Sequence, residues 1–192
     1  SEETACRDKY PEPPRAQTVV VNSNGTLQNV FIYIKTGVDT TLRFPVPPDS
    51  VWIDQTGCRY EPHMLGMQAG QTLAIKNSDA VLHNINAKPT ANRGFNISQP
   101  QAGMVSTRTF LVPEVVVPVG CDVHGWMSAH IGVLAHPYFA TSGADGSVPI
   151  RRLPPGTYTV EAWHEQYGAQ TTQITVGANE SKAIEFTFRP TT

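Results

Sequence analysis

The sequence predicts an all-β protein, and three features point that way. Short runs of β-branched and aromatic residues recur along the chain, as in Val30 to Lys35 (VFIYIK), Thr72 to Lys76 (TLAIK) and Ser106 to Val112 (STRTFLV). Gly, Pro and Asn punctuate the gaps between them. No segment carries an apolar stripe of helical period over several turns.

Residues 1–16 (SEETACRDKYPEPPRA) are polar and proline-rich, and they read as an extended arm without a core of its own. Thr18 to Val21 and Val30 to Lys35 flank Asn22-Ser23-Asn24-Gly25, whose Asn-Gly signals a tight turn and hence a hairpin. Val115 to Val119 and Ile131 to Ala135 are further strand candidates, while 87–104 has no clear periodicity and reads as a long loop. From Pro137 the rhythm changes. Thr157 to Trp163 sets Tyr158, Val160 and Ala162 against Thr157, Thr159 and Glu161, and Ala183 to Arg189 sets Ile184, Phe186 and Phe188 against Glu185, Thr187 and Arg189. Both patterns predict half-buried antiparallel strands. The expected organisation is an arm at 1–16, a first domain at 17–136 and a smaller β-sandwich at 137–192, with a soft boundary because the early hairpin can pair with either half.

A net charge of -2 over 192 residues provides no basic footprint for nucleic acid and no polybasic membrane signal. No apolar stretch approaches the roughly 20 residues that span a bilayer, and Ser1 to Cys6 lacks the basic and apolar regions of a signal peptide. The expectation is a mature terminus of an exported protein, periplasmic or secreted. Three cysteines then suggest one bridge and one leftover thiol. Cys6 and Cys58 are the natural pair, both far in sequence from Cys121; the alternative is three unrelated buried thiols.

The stretch VGCDVHGWMSAH at 119–130 places Cys121, His124 and Met127 at i, i+3 and i+6 in a strand-to-strand loop. Thiolate, imidazole and thioether are soft or borderline ligands, and two histidines, a cysteine and a weak axial methionine suit copper cycling between Cu(I) and Cu(II). The fourth ligand is expected from a distant strand end, with His83 in NSDAVLHNI the best candidate. A structural zinc site needs four strong ligands and usually paired cysteines, which this loop lacks.

KNSDAVLHNI followed by CDVHGWM, in an all-β chain, resembles the cupredoxins, the blue-copper electron-transfer family. The resemblance covers roughly 18–136. It implies a Greek-key β-sandwich or barrel, with the small antiparallel β-sandwich appended to or intertwined with it. One copper ion in a type 1 site would be held by His83, Cys121, His124 and Met127, with Asn84 beside the cysteine loop. The His-to-Met gap of Gly125 and Trp126 departs from the family: it is shorter than in plastocyanin-like or azurin-like loops and nearer to dinuclear copper domains, whose second cysteine is missing here. The tail, with SGADGSVPIRRLPPGTYTVEAWHEQYG, is similar to carboxypeptidase regulatory-like, transthyretin-like modules, for which a structural or docking role is expected.

In function, the resemblance implies a one-electron carrier and no enzyme. His124 is expected to reach the surface through an apolar patch with Trp126, Met127, Met64 and Leu65, where a redox partner such as a c-type cytochrome or copper enzyme docks. Two alternatives stay open. A red-copper-like site would use Glu61, His63 or His130 and keep an open coordination position. A storage or delivery protein would hold Cu(I) through exposed methionines such as Met64, Met67 and Met104.

Overall fold

A computed structural model describes residues 2–190, the side chains of Glu2 and Glu3 excepted. It is all-β apart from one short helix, α1 (Glu2–Arg7), and it divides into two compact units. Unit 1 comprises 1–16 and 45–137; unit 2 comprises 17–44 and 138–192.

Unit 1 holds two sheets. The first runs β4 (Met64–Gln68), β10 (Ser128–Leu134), β9 (Glu114–Gly120), β6 (His83–Ala87) and β7 (Phe95–Gln99) in spatial order. The second runs β3 (Arg59–Glu61), β2 (Val51–Thr56), β5 (Thr72–Asn77) and β8 (Val105–Thr109). β4 with β10 and β2 with β5 are parallel pairs; the other ladders are antiparallel. Ile53, Leu73 and Ile75 from one sheet and Ile85, Val117 and Ile131 from the other share one core, the burial that makes a sandwich of two half-apolar sheets.

Two polar features shape this unit. Between β2 and β3 the two-residue turn Gly57-Cys58 takes positive φ at both positions, 60° and 55°, the backbone that a tight hairpin requires; a Cβ on Gly57 would come within 2.5 Å of the Tyr10 hydroxyl. At the start of β9, the Glu114 carboxylate accepts the backbone N–H groups of Thr90, Ala91 and Asn92, the Thr90 hydroxyl and the Asn92 amide. One side chain thus satisfies donors of a loop that has no ladder to join.

Unit 2 is a four-stranded sheet in the order β11 (Phe139–Thr141), β1 (Phe31–Thr36), β12 (Gly156–His164) and β13 (Gly168–Val176), antiparallel throughout. Ile34, Tyr138, Tyr158 and Val160 form its core. Glu161 is buried on the opposite face of β12 from Val160, where it accepts from the Tyr33 hydroxyl and the Lys35 ammonium. Burial, then this carboxylate, holds the Tyr33 phenol well above its ordinary range.

Four expectations change. The boundary expected at 136/137 leaves out 17–44, which joins unit 2 because β1 pairs with both β11 and β12. With both edges of β1 taken, Thr18 to Val21 has no ladder to enter; the Asn22 turn forms, but it closes only the single bridge Val21 to Leu27. The arm is not wholly extended, since Glu2–Arg7 is helical and Cys6 belongs to the unit 1 core. Within 87–104 lies β7, paired to β6, whereas Ala183 to Arg189 is no strand: Phe186 packs on the unit 2 core and Phe188 against His164 and Tyr167, without backbone pairing.

Hydrogen bonds to the ionised carboxylate outweigh burial and hold Glu114 down from its ordinary 4.5 to about 2. A depressed folded-state value means that its stabilisation is present above pH 4.5 and is lost as pH falls through about 2. Urea denaturation of Glu114→Gln beside the wild type should therefore show a stability gap at pH 6 that closes between those two values; a gap independent of pH would remove the carboxylate from this role. Cys6 and Cys58 are joined, with Cα atoms 5.7 Å apart across 52 residues of sequence. Closing a loop of that length is worth about 4 kcal/mol, so Cys6→Ser with Cys58→Ser should lower unit 1 stability by about 2–4 kcal/mol in chemical denaturation.

Candidate metal centre

The centre lies at one end of the first unit 1 sheet. β6 and β9 are antiparallel neighbours paired at Asn86–Gly120 and Ala87–Val119, so the start of β6 runs on beside the loop that leaves the end of β9. His83 is the first residue of β6, and Cys121 follows the last residue of β9. The pairing of Gly120 with Ser128 then closes 121–127 into a loop. Inside it the Cys121 N–H donates to Met127 O at 3.2 Å and the Met127 N–H to His124 O at 2.9 Å. Asn84, next to His83, receives the Asp122 N–H at 2.7 Å and the Cys121 thiol at 3.3 Å on the same Oδ1. The loop is therefore fastened to β6 beside its histidine.

Three donor atoms converge: His83, Cys121 and His124 are buried, and one ligand atom from each lies within 4.8 Å of the others. The two Nδ1 atoms are 3.1 Å apart, and Cys121 Sγ is 3.8 Å from His124 Nδ1. Met127 is buried at the loop's end. The sequence places these four residues near one another in chain or fold; the structure brings the first three into one cluster.

The outer partners orient the rings. His83 Nε2 lies 2.9 Å from Asp79 Oδ2. Asp79 also takes the Gly57 and Cys58 N–H groups and the Lys9 ammonium. Burial raises the Asp79 carboxyl, but Lys9, the two N–H groups and His83 outweigh it and hold the group below its ordinary value. An ionised carboxylate only accepts, so His83 Nε2 donates to it and Nδ1 is turned to the cluster. On Cys121 burial pushes the thiol up, while the His83 ring and the backbone N–H groups of Asn84, His124 and Val123 together bring it below the usual thiol range. His83 responds in the opposite sense, with burial outweighed by its hydrogen bonds to Cys121 and Asp79 and by their charges. Two imidazole nitrogens and a thiolate-prone sulfur are a donor set for a soft or borderline ion.

Other candidates sit elsewhere. His63 and His130 face each other, ring centroids 5.8 Å apart, and neither joins the His83 cluster. Glu61 is exposed on β3. Met64, Met67 and Leu65 are buried, the last two in the unit 1 core, so they offer neither exposed sulfur nor a surface patch. The expected surface exit is also corrected, because His124 is only 1% exposed. The arm contributes to the cover: Cys6 Sγ of the disulfide lies 3.6 Å from His124 Nε2. Sequence reasoning also gives Asp79 no role; its signal is an acid in the polar turn four residues before the histidine.

Residues 128–189 match the family model of the carboxypeptidase regulatory-like domain, a match that begins in β10 and runs through β13. No curated protein matches the chain in sequence. Among solved structures, the copper-containing nitrite reductase of Thermus scotoductus SA-01 is similar at 19% identity and a TM-score of 0.42, over 51% of this chain and 25% of its own. This chain thus spans about a quarter of that reductase. The purple cupredoxin of Nitrosopumilus maritimus is similar at 22% identity and a TM-score of 0.37, over 43% of this chain and 97% of its own. An amicyanin variant in the Cu(I) state is similar at 17% identity and a TM-score of 0.39, over 53% and 97%. The chain is similar in part of its length to cupredoxins and matches, at 128–189, the carboxypeptidase regulatory-like domain.

Proposed function

We propose that this chain is an exported electron carrier that binds one copper ion through His83, Cys121 and His124, with Met127 as a weaker fourth ligand. The observation that carries the reading is the convergence of two imidazoles and one thiol in a buried cluster. Bound there, copper supplies a one-electron Cu(II)/Cu(I) couple.

The residues around it serve a carrier. Asp79 holds the proton of His83 on Nε2 and leaves Nδ1 as the donor. Asn84 fixes the loop through the Asp122 N–H, so Cys121 and His124 keep their places whatever the charge at the centre. The sandwich behind them is closely packed, with Ile85, Val119, Ala129 and Ile131 buried, and a packed core resists the rearrangement that would slow transfer. With Met127 as the fourth donor, the protein would fill four coordination positions, whereas catalysis on a small molecule needs an open one. The buried Met64 and Met67 do not favour loose Cu(I) delivery, and the exposed Glu61 does not favour a red-copper-like centre. The partner would be a redox protein such as a c-type cytochrome or a copper enzyme, in the periplasm or outside the cell.

Titration of the metal-free protein with Cu(II), followed by visible absorption and EPR, should give an intense thiolate-to-copper band that saturates at one equivalent. Cys121→Ser should abolish it. A colourless product that retains zinc would sink the copper reading. Replacing Met127 tests the fourth ligand: Met127→Leu should keep the band and raise the midpoint potential, and Met127→Gln, a harder donor, should lower it. The expected separation is roughly 60 mV or more, a tenfold change in a one-electron equilibrium constant; equal potentials would remove Met127 from the coordination sphere.

A further inference from the structure

A carrier's electron has to reach the surface, and the His124 ring does not. Nδ1 faces His83 and Cys121, and Nε2 faces Cys6 Sγ at 3.6 Å. The same bridge closes on the other histidine, since Cys58, Asp79 and His83 bring atoms within 4.8 Å of one another. Both imidazoles are therefore backed by the Cys6–Cys58 disulfide. The arm that carries Cys6 is held by more than its sulfur. Lys9 pairs with Asp79 at 2.7 Å, the Tyr10 hydroxyl donates to Gly57 O at 2.6 Å, and Arg59 lies 5.8 Å over the Tyr10 ring.

Trp126 connects the His124 side of this cluster to solvent. Trp126 sits two residues after His124, its ring centroid 5.0 Å from the imidazole and tilted 47° to it. It is 52% exposed. Its Nε1–H donates to Cys58 O at 3.1 Å, which pins the indole over the turn that carries the bridge. The ring thus touches a buried candidate ligand on one side and water on the other, and a hydrogen bond fixes its orientation. Of its neighbours in the loop, Gly125 offers no side chain and Val123 no π system.

We propose that Trp126, rather than the His124 edge, is where electrons enter and leave this protein, the disulfide-pinned arm having closed the direct route. The inference rests on the electron-carrier reading. Trp126 acts through His124 and binds no metal.

The test oxidises the Cu(I) form with hexacyanoferrate(III) in stopped flow: one electron leaves copper, hexacyanoferrate(II) forms, and no proton or ligand changes hands. Electron self-exchange, from NMR line broadening in mixtures of the two oxidation states, is measured on the same samples. Trp126→Ala should slow both by about tenfold or more, about 1.4 kcal/mol in activation free energy, with the absorption band and midpoint potential of the wild type. Trp126→Phe keeps a ring over the imidazole and should recover most of the rate. Rates for Trp126→Ala within about threefold of wild type, at an unaltered band, would overturn the proposal. Should the alanine variant lose the band, Trp126→Leu keeps the apolar bulk without a ring, and the same comparison decides. A readout without copper tests the seal: in the metal-free protein His124 should resist diethylpyrocarbonate, by peptide mapping, until the disulfide is reduced, and rapid modification of the oxidised protein would overturn it. Absence of a copper–thiolate band in the wild type would instead sink the carrier reading before any rates are compared.

Discussion

A single buried carboxylate joins three parts of unit 1 that lie far apart in sequence. Asp79 accepts from Lys9 in the arm, from Gly57 and Cys58 in the β2–β3 turn, and from His83 at the start of β6. Its own N–H is taken by Asn77 Oδ1, so the residue is held as well as holding. Leaving such a group unpaired in the interior costs more than any one of its bonds contributes, which makes the four partners interdependent. The arm's position, the Cys58 backbone and the His83 ring all depend on this junction.

The same junction explains what the sequence discloses about the centre. The cluster of His83, Cys121 and His124 is legible as a candidate because these residue types are unusual together at a strand end and a loop, and ligand types at close spacing would narrow the choice of ion. Asp79 is visible only as one acid in a polar turn. Nothing in local pattern distinguishes an acid that solvates a turn from one that receives four donors from elsewhere in the fold. The arm misleads for a related reason. Its composition is that of a segment without a core, and only the partner at Cys58 makes Cys6 a core residue.

Strand placement shows the same limit. β5 and β9 arise from β-branched runs, and Tyr158, Val160 and Ala162 are buried in β12 as their alternation requires. Segments with equally good alternation diverge once edges are counted: β1 has two partners, so Thr18 to Val21 is left with one bridge. Ladder membership depends on which edges remain open, and that is decided by chain segments a hundred residues away. The unit boundary is a consequence of the same pairing. Residues 17–44 belong with 138–192 because β1 lies between β11 and β12, so unit 2 is made from two segments separated in sequence by 45–137.

On the electron-carrier reading proposed above, sealing the centre and connecting it are opposing demands, and unit 1 would meet them with neighbouring residues. Water at the imidazoles would solvate each charge state differently and add reorganisation to every transfer; low local dielectric and fixed dipoles reduce that contribution. Covering His124 with a disulfide accomplishes this, and the cover is anchored by an ion pair and a hydroxyl donor as well as by sulfur. Complete enclosure, however, would isolate the centre. An indole is suited to the remaining position because its apolar face can lie on the buried ring while its N–H satisfies a carbonyl at the edge of the cover. Trp126 thus fits the chemistry of a boundary, where one side is dry and the other wet, and its exposure is a consequence of that position.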